Sequence, residues 1–477
     1  MPEPILAEGA APGDSVTQPP LPEAVDRILT GWGRTSPTAA RVITPGEPAD
    51  VVRSLWSHNG ATRPGVIARG LGRSYGDAAQ CAGGLVIETG RLDRIGAIND
   101  AGEVEVDAGV SLAALLRTSL PQGWFVPVTP GTRQVTIGGA IAADIHGKNH
   151  HQDGSFCAHV TSITLATPTG VLQVSQSVDP ALFWATAGGM GLTGVILGAT
   201  IRMRRVETAW MRVDTERHGE LQGLMDALER VDATHRYSVA WLDCSARGRH
   251  LGRGILDAGD HARASELGAS AARDPLAAPH DARFKVPVAL PAPLVGGLSV
   301  AAFNRAWYAK SPSRPGRIRP LGGFFHPLDA LGDWNRLFGP RGFVQYQYVV
   351  PSERRDVIVS TLELLQRAGA ACSMAVLKRF GPGDPGPLSF PMAGWTLALD
   401  LPVGPPGLRR ALRELDQLVL AAHGRVYLAK DSRLGPVAFA AMYPRLSEFE
   451  TTLRRVDPEG LMQSDLSRRL RIGSLAR

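Results

Sequence analysis

Between residues 25 and 205 the chain is dominated by short apolar runs that end at glycine-rich turns. "PGVIARG", "GLVIETG", "EVEVDAG", "ITLATPTG" and "GVILGATIRM" predict strands closed by turns. "LAALLRTSL" carries helical spacing instead and stops before Pro121. Near residue 209 the pattern changes. Strand-like stretches ("YSVAWLDC", "FVQYQYVVP", "WTLALDLPV") now alternate with helix-like ones ("DVIVSTLELLQRAG", "GLRRALRELDQLVLAAHG"), which predicts an α+β region built on a sheet. After Gly424 the chain reads "RVYLAKDSR" and then turns helix-rich. No internal repeat is visible.

A length of 477 residues exceeds one ordinary core, so two domains are expected. A 44% hydrophobic content and a mean hydropathy of −0.04 fit a soluble globular chain. The net charge of +6 is spread without a long basic run. That argues against nucleic acid as a partner and leaves anionic small molecules or an anionic membrane surface. Cys81, Cys157, Cys244 and Cys372 lie far apart with no Cys-x-x-Cys pair. Reduced, buried thiols are therefore expected rather than zinc ribbons or redox dithiols. Residues 1–24 have neither the basic nor the apolar region of a secretory signal and read as a disordered tail. The uncharged stretch 286–303 holds Pro287, Pro291 and Pro293. It is expected to be a buried extended run or a mobile apolar loop over a lipid chain, not a membrane helix.

"ARGLGRSYGD", residues 68–77, supports competing readings. Gly72, Ser74 and Gly76 spell the Gly-x-Ser-x-Gly of a hydrolase elbow, with Ser74 as nucleophile. An elbow needs a helix straight after the turn, whereas "GDAAQCAGGLVIETG" runs into another strand. A dinucleotide fingerprint fails for the same reason, and its third glycine comes one residue late. The Gly-Lys-Ser/Thr of a P-loop is missing. What remains is strand–glycine loop–strand. Such a loop is either a plain tight turn or a nest of backbone N–H groups around an anion.

"PGTRQVTIGGAIAADIHGKNHHQDGS" and "FWATAGGMGLTGVILGATIRM" add two more glycine-dense turns, as if one large cofactor touched backbone at several points. Together with "TGWGRT", "FHPLD", "QYQYV", "PLSFP" and "AKDSR", these motifs resemble the decaprenylphosphoryl-ribose oxidases, flavoenzymes of the vanillyl-alcohol-oxidase superfamily. The resemblance runs over about residues 30–472. It implies a two-domain α+β flavoprotein with a discontinuous FAD domain, 25–208 and 425–477, and an antiparallel-sheet substrate domain, 209–424. It places Ala68, Arg69, Gly70, Leu71, Gly72, Arg73, Ser74, Tyr75, Gly76, Asp77 and Ala78 around the FAD diphosphate. Gly131, Thr136, Ile137, Gly138, Gly139, Ala143, Asp144, Ile145, His146, Ile196 and Tyr427 fall on the other FAD contacts of the family. Many superfamily members attach FAD through a histidine where Tyr75 stands, so FAD is expected to be non-covalent.

The family's reaction implies oxidation of the ribose 2-hydroxyl of decaprenylphosphoryl-β-D-ribose. A carbinol hydrogen leaves as hydride to the flavin while a base takes the hydroxyl proton. Lys430 matches the family lysine beside flavin and substrate, as base or as binding cation; bare sequence reads it as a surface lysine paired with Asp431. His146 matches a polar contact near the flavin. With His150 and His151 it also raises a metal site, but adjacent histidines point apart and no metal is expected. Lys148, Lys378, Gln347 and Trp241 match substrate-pocket positions. So do Phe325, Thr396 and Ala398, where mycobacterial relatives carry tyrosine, asparagine and cysteine. The implied partners are a polyprenyl-phosphate sugar, an NAD(P)H-dependent keto-reductase acting on the product, and a membrane touched peripherally from the cytoplasmic or envelope side. The alternatives are an oxidase of another sugar or alditol, a serine hydrolase using Ser74, and a non-catalytic scaffold that retains flavin.

Overall fold

The glycine-punctuated first part of the chain builds two four-stranded sheets. A computed structural model describes residues 20–58, 64–277, 282, 284–289 and 296–473. The first sheet runs in the order Val25–Leu29, Thr38–Ile43, Leu85–Glu88, Val66–Arg69. Its last three strands are parallel, so the chain needs a crossing segment between Arg69 and Leu85. The second sheet is antiparallel, in the order Glu103–Asp107, Val195–Arg202, Val160–Thr167, Gly170–Ser175. Val66 and Ile87 of the first sheet share a core with Val195 and Leu197 of the second. The far end of the chain returns to the first sheet: Met462 bridges Val66, and the Asp465 carboxylate accepts from Thr38 Oγ1 and Ala82 N, both at 2.7 Å.

The middle of the chain forms one eight-stranded antiparallel sheet. Its order is Arg314–Pro320, Trp210–His218, Gly254–His261, Tyr237–Leu242, Met374–Phe380, Gly394–Pro402, Phe343–Val350, Arg425–Val426. The short strand Arg425–Val426 carries this sheet two residues beyond Gly424. Strand alternation divides its side chains between two faces. Tyr346, Tyr348, Leu377, Leu397 and Leu399 share a core with the apolar stripes of helices Leu221–Asp232, Asp356–Arg367 and Leu408–Ala421. Register puts Gln345 opposite Asp400, Gln347 opposite Ala398, Lys378 opposite Thr396 and Trp241 opposite Val376 on the other face. One face is therefore greasy and sealed, and the other is polar and faces the first domain's loops.

The stretch 286–303 differs from expectation. Residues 290–295 lie outside the described residues, but 297–303 are the first half of a helix, Gly297–Lys310. All three of its prolines precede Gly296, and none follows before Pro312. The helix is thus free of the ring clash that an internal proline imposes.

Candidate active site

The loop after Val66–Arg69 leads to no helix; it returns as the parallel strand Leu85–Glu88. An elbow serine has no support here, and the Ser74 carbonyl accepts from Trp32 N at 2.8 Å. The loop is clamped on two sides by glycine contacts that leave no room for a Cβ. One at Gly70 would stand 2.2 Å from Thr136 Oγ1, and one at Gly76 would stand 2.0 Å from the Asp431 carbonyl. Gly72 adopts φ +62°, where glycine is favoured. The Arg69 guanidinium turns back to brace the loop, donating to Thr30 O at 2.8 Å and Ala79 O at 3.0 Å. Arg73 lies 3.9 Å over the Trp32 ring.

Among the described residues, the backbone N–H groups of Leu71, Gly72, Arg73 and Ser74 meet no protein acceptor. Such a run of free donors is what a diphosphate requires. Leu71, Gly131 and Gly139 are exposed, and nothing lies within 4 Å of a Cβ placed on Gly131. Ile137, Ile145 and Ile196 are buried apolar walls. Gly138 packs against Ala108, and Thr136 caps the helix Ile137–Ala142 by accepting from Gly139 N at 3.1 Å. Open backbone, free donors and apolar walls fit FAD. The side chains of Asp144 and Asp77 are taken up by protein partners. Asp144 is buried and accepts from Ser389 Oγ at 2.8 Å, and Asp77 is held at 2.8 Å by both prongs of Arg469. Ala78 is buried in the core, and Tyr427 donates to Ala143 O at 2.7 Å with its ring stacked on Phe390.

Lys430 is not a surface lysine paired with its neighbour. Asp431 turns instead to Arg469 at 2.8 Å, while Tyr75 N donates to Ala429 O at 2.9 Å. These bonds set the Lys430 ammonium 3.9 Å from the centre of the Tyr75 ring. Burial lowers its pKa to about 8, against the opposing pull of the Asp400 carboxylate. Gln347 donates to His146 Nε2 at 2.9 Å and to Thr396 Oγ1 at 3.2 Å. Burial, with Lys378, His150 and Lys430 nearby, holds His146 well below the usual histidine range, so its ring is neutral. Lys378 Nζ donates to Gly147 O at 3.4 Å, and Lys148 Nζ donates to Phe324 O. Burial lowers both lysines to about 7.

The structure thus gathers His146, Lys148, Gln347, Lys378, Thr396 and Lys430, with Ala398 and Trp241 on the same face of the sheet. Phe325 stands at the edge of this group, its ring centre 6.0 Å from the Lys148 ammonium. That ring is 1% exposed and packs against Phe125 and Tyr237, while its neighbour Phe324 lies under Lys148, 4.3 Å from the ammonium. His146 and His150 both pack against the Phe380 ring, at 4.8 and 4.5 Å between centroids, and His151 faces Asp232 at 3.7 Å.

Sequence reasoning missed several supports. Asp400 accepts from Gln345 at 2.5 Å beside Lys430. The "HPLD" turn grips the segment before Thr136: His326 pairs with Thr129 at 2.7 Å, and Asp329 accepts from Thr132 Oγ1 at 2.5 Å and Arg133 N at 2.8 Å. Alternation from Gln347 pointed to Gln345; Arg469 gave no local signal.

The lysines make stability depend on pH in an unusual direction. A lysine near 7 in the fold and near 10.4 when unfolded binds fewer protons folded than unfolded between those values. Stability of the cofactor-free protein should therefore rise as pH climbs from about 7 to about 10. Lys378→Met should raise the thermal midpoint at neutral pH and flatten that rise. A wild-type midpoint that falls steadily over this range would contradict the assignment.

Residues 39–175 match the FAD binding domain family. The chain is 44% identical over 460 residues to the decaprenylphosphoryl-β-D-ribose oxidase of Mycolicibacterium smegmatis, covering 95% of this chain and 99% of that one. An uncharacterised protein of Streptomyces coelicolor is 40% identical over 370 residues, 76% of this chain and all of its own. Cytokinin dehydrogenase 2 of Arabidopsis thaliana is 27% identical over 169 residues, 35% of this chain and 34% of its own. With this identity running through nearly the whole chain, the protein belongs to the decaprenylphosphoryl-β-D-ribose oxidase family.

Proposed function

We propose that this chain oxidises the ribose 2-hydroxyl of decaprenylphosphoryl-β-D-ribose to the 2-keto product, the first half of epimerisation to the arabinose lipid used for cell-wall arabinan. One observation carries the substrate reading. Among the described residues, Lys148, Lys378 and Lys430 are drawn inward with no carboxylate in salt-bridge contact. Enclosed ammonium groups without a counter-ion are costly unless an anion joins them, and a sugar phosphate supplies one. When bound in the cradle, FAD supplies the hydride acceptor. Lys430, below the ordinary lysine range, takes the hydroxyl proton. His146, neutral and steadied by Gln347, orients the ribose hydroxyls, and Thr396 and Ala398 leave room for the ring. Residues 25–208 and 425–477 hold FAD, and 209–424 hold the sugar. A keto-reductase using NAD(P)H consumes the product, and the enzyme meets its lipid substrate at a membrane surface.

The test is anaerobic bleaching of the flavin by decaprenylphosphoryl-ribose beside a panel of free sugars and alditols. Rapid bleaching by the lipid-linked sugar alone supports the proposal. Bleaching by a free sugar with equal efficiency would assign the chain to another alcohol.

Attachment of the cofactor is checked separately. Tyr75 is buried and its hydroxyl is held well above the usual tyrosine range, chiefly by burial. It is a poor nucleophile toward the flavin. Acid or heat should therefore release free FAD into the supernatant, and yellow colour retained in the protein pellet after both treatments would refute this.

A further inference from the structure

We propose that helix Gly297–Lys310, with the flanking strands Phe284–Lys285 and Arg314–Pro320, docks on an anionic lipid surface. Its large apolar side chains stand in solvent: Leu298 is 91% exposed, Phe284 75%, Phe303 57% and Trp307 49%. Phe303 and Trp307, one turn apart, stack with their centroids 6.2 Å from each other. The helix is not frayed. On its inner face Val300 and Asn304 are buried, Asn304 donates to Asp243 at 3.1 Å, and Tyr308 donates to His218 O at 3.2 Å. A seated helix that displays aromatics outward marks an interaction surface.

Charge decides the partner. From residue 284 to 328 the chain carries Lys285, Arg305, Lys310, Arg314, Arg317 and Arg319 and no aspartate or glutamate. The first five of these cations are exposed, interleaved with the apolar side chains. Exposed aromatics ringed by cations match acyl chains beneath anionic headgroups. Among the described residues no helix is long and apolar enough to cross a membrane, so the contact is peripheral.

Two tethers join this face to the active site. Arg336 donates to Val286 O at 2.7 Å, and Trp334 and Phe338 of the same turn cluster with Tyr75. On the other side Arg319 pairs with Asp257 at 2.6 Å and lies 5.2 Å over Phe324, whose carbonyl receives Lys148. A polyprenyl chain leaving the lysines would pass straight into the bilayer. That use of the face rests on the substrate proposed above, whereas the docking itself rests on the surface chemistry.

The experiment floats the FAD-loaded full chain on vesicles without any substrate, so its outcome is independent of flavin bleaching. Vesicles of phosphatidylglycerol and phosphatidylcholine should carry the wild type up the gradient. Phosphatidylcholine alone, or high salt, should retain at least about 10-fold less. The triple variant Leu298→Ser, Phe303→Ser, Trp307→Ser should lose at least about 10-fold in vesicle binding with FAD content and thermal midpoint unchanged. A wild type that stays in solution with anionic vesicles, as a protein-docking face would, overturns the proposal. So does a triple variant that floats as well as the wild type, or equal binding to both lipid compositions.

Discussion

Lys430→Met should slow substrate-driven flavin reduction by at least about 10²-fold while leaving FAD bound, because it removes the proton acceptor proposed above. The methionine keeps the apolar stem against Tyr75. The backbone bonds that seat the segment, Tyr75 N to Ala429 O and Lys430 N to Tyr427 O, do not involve the amine. Asp431 is already held by Arg469, and Asp400, the carboxylate that feels the amine, keeps its bond from Gln345. Stopped-flow reduction under anaerobic conditions separates the possibilities. A fast saturated rate with weakened affinity would make Lys430 a binding cation. Loss of FAD would make it structural. An unaltered rate and affinity would remove it from the site. The wild-type rate should also climb with pH through about 8, where the Lys430 amine loses its proton and becomes able to accept one.

Arg469→Met should destabilise the protein by about 3–5 kcal/mol and strip its FAD, the cost of leaving buried carboxylates without their cation. Arg469 grips both oxygens of Asp77 at 2.8 Å and one oxygen of Asp431 at 2.8 Å. Asp77 ends the glycine loop, and Asp431 follows Lys430. One guanidinium therefore holds the glycine loop, the proposed FAD cradle, against the segment that carries Lys430. Arg469→Lys keeps the charge without the two-pronged geometry, so it should recover only part of the loss. Urea titration and flavin content measure both effects; a Met variant with wild-type stability and colour would show the clamp to be dispensable.

The glycine loop was legible in the sequence because its chemistry is local. Gly70, Gly72 and Gly76 sit where neighbouring atoms or φ exclude a side chain, and a strand followed by no helix ruled out the elbow. Family motifs placed Lys148, Lys378 and Gln347, but the convergence of Lys378 with Gln347 is a property of sheet register, and that of Lys148 depends on its bond to the distant Phe324 carbonyl. Lys430 and Asp431 looked like an exposed pair because adjacent charges usually are. The partner that separates them, Arg469, is 38 residues away. Phe325 and Phe324 are told apart only by the rotation between successive residues of the short helix Leu321–Phe325. In 286–303 composition averaged over a boundary, since the prolines and the helix lie on opposite sides of Gly296.

Segments nearly 400 residues apart meet around the glycine loop: Met462 bridges Val66, and Arg469 clamps Asp77. During synthesis the glycine loop leaves the ribosome hundreds of residues before the segment that secures it. On the function proposed above, a nascent chain has no finished seat for FAD until residues 462–469 have emerged and folded back. A premature stop just upstream of them would leave the lysines intact, yet should yield a colourless protein.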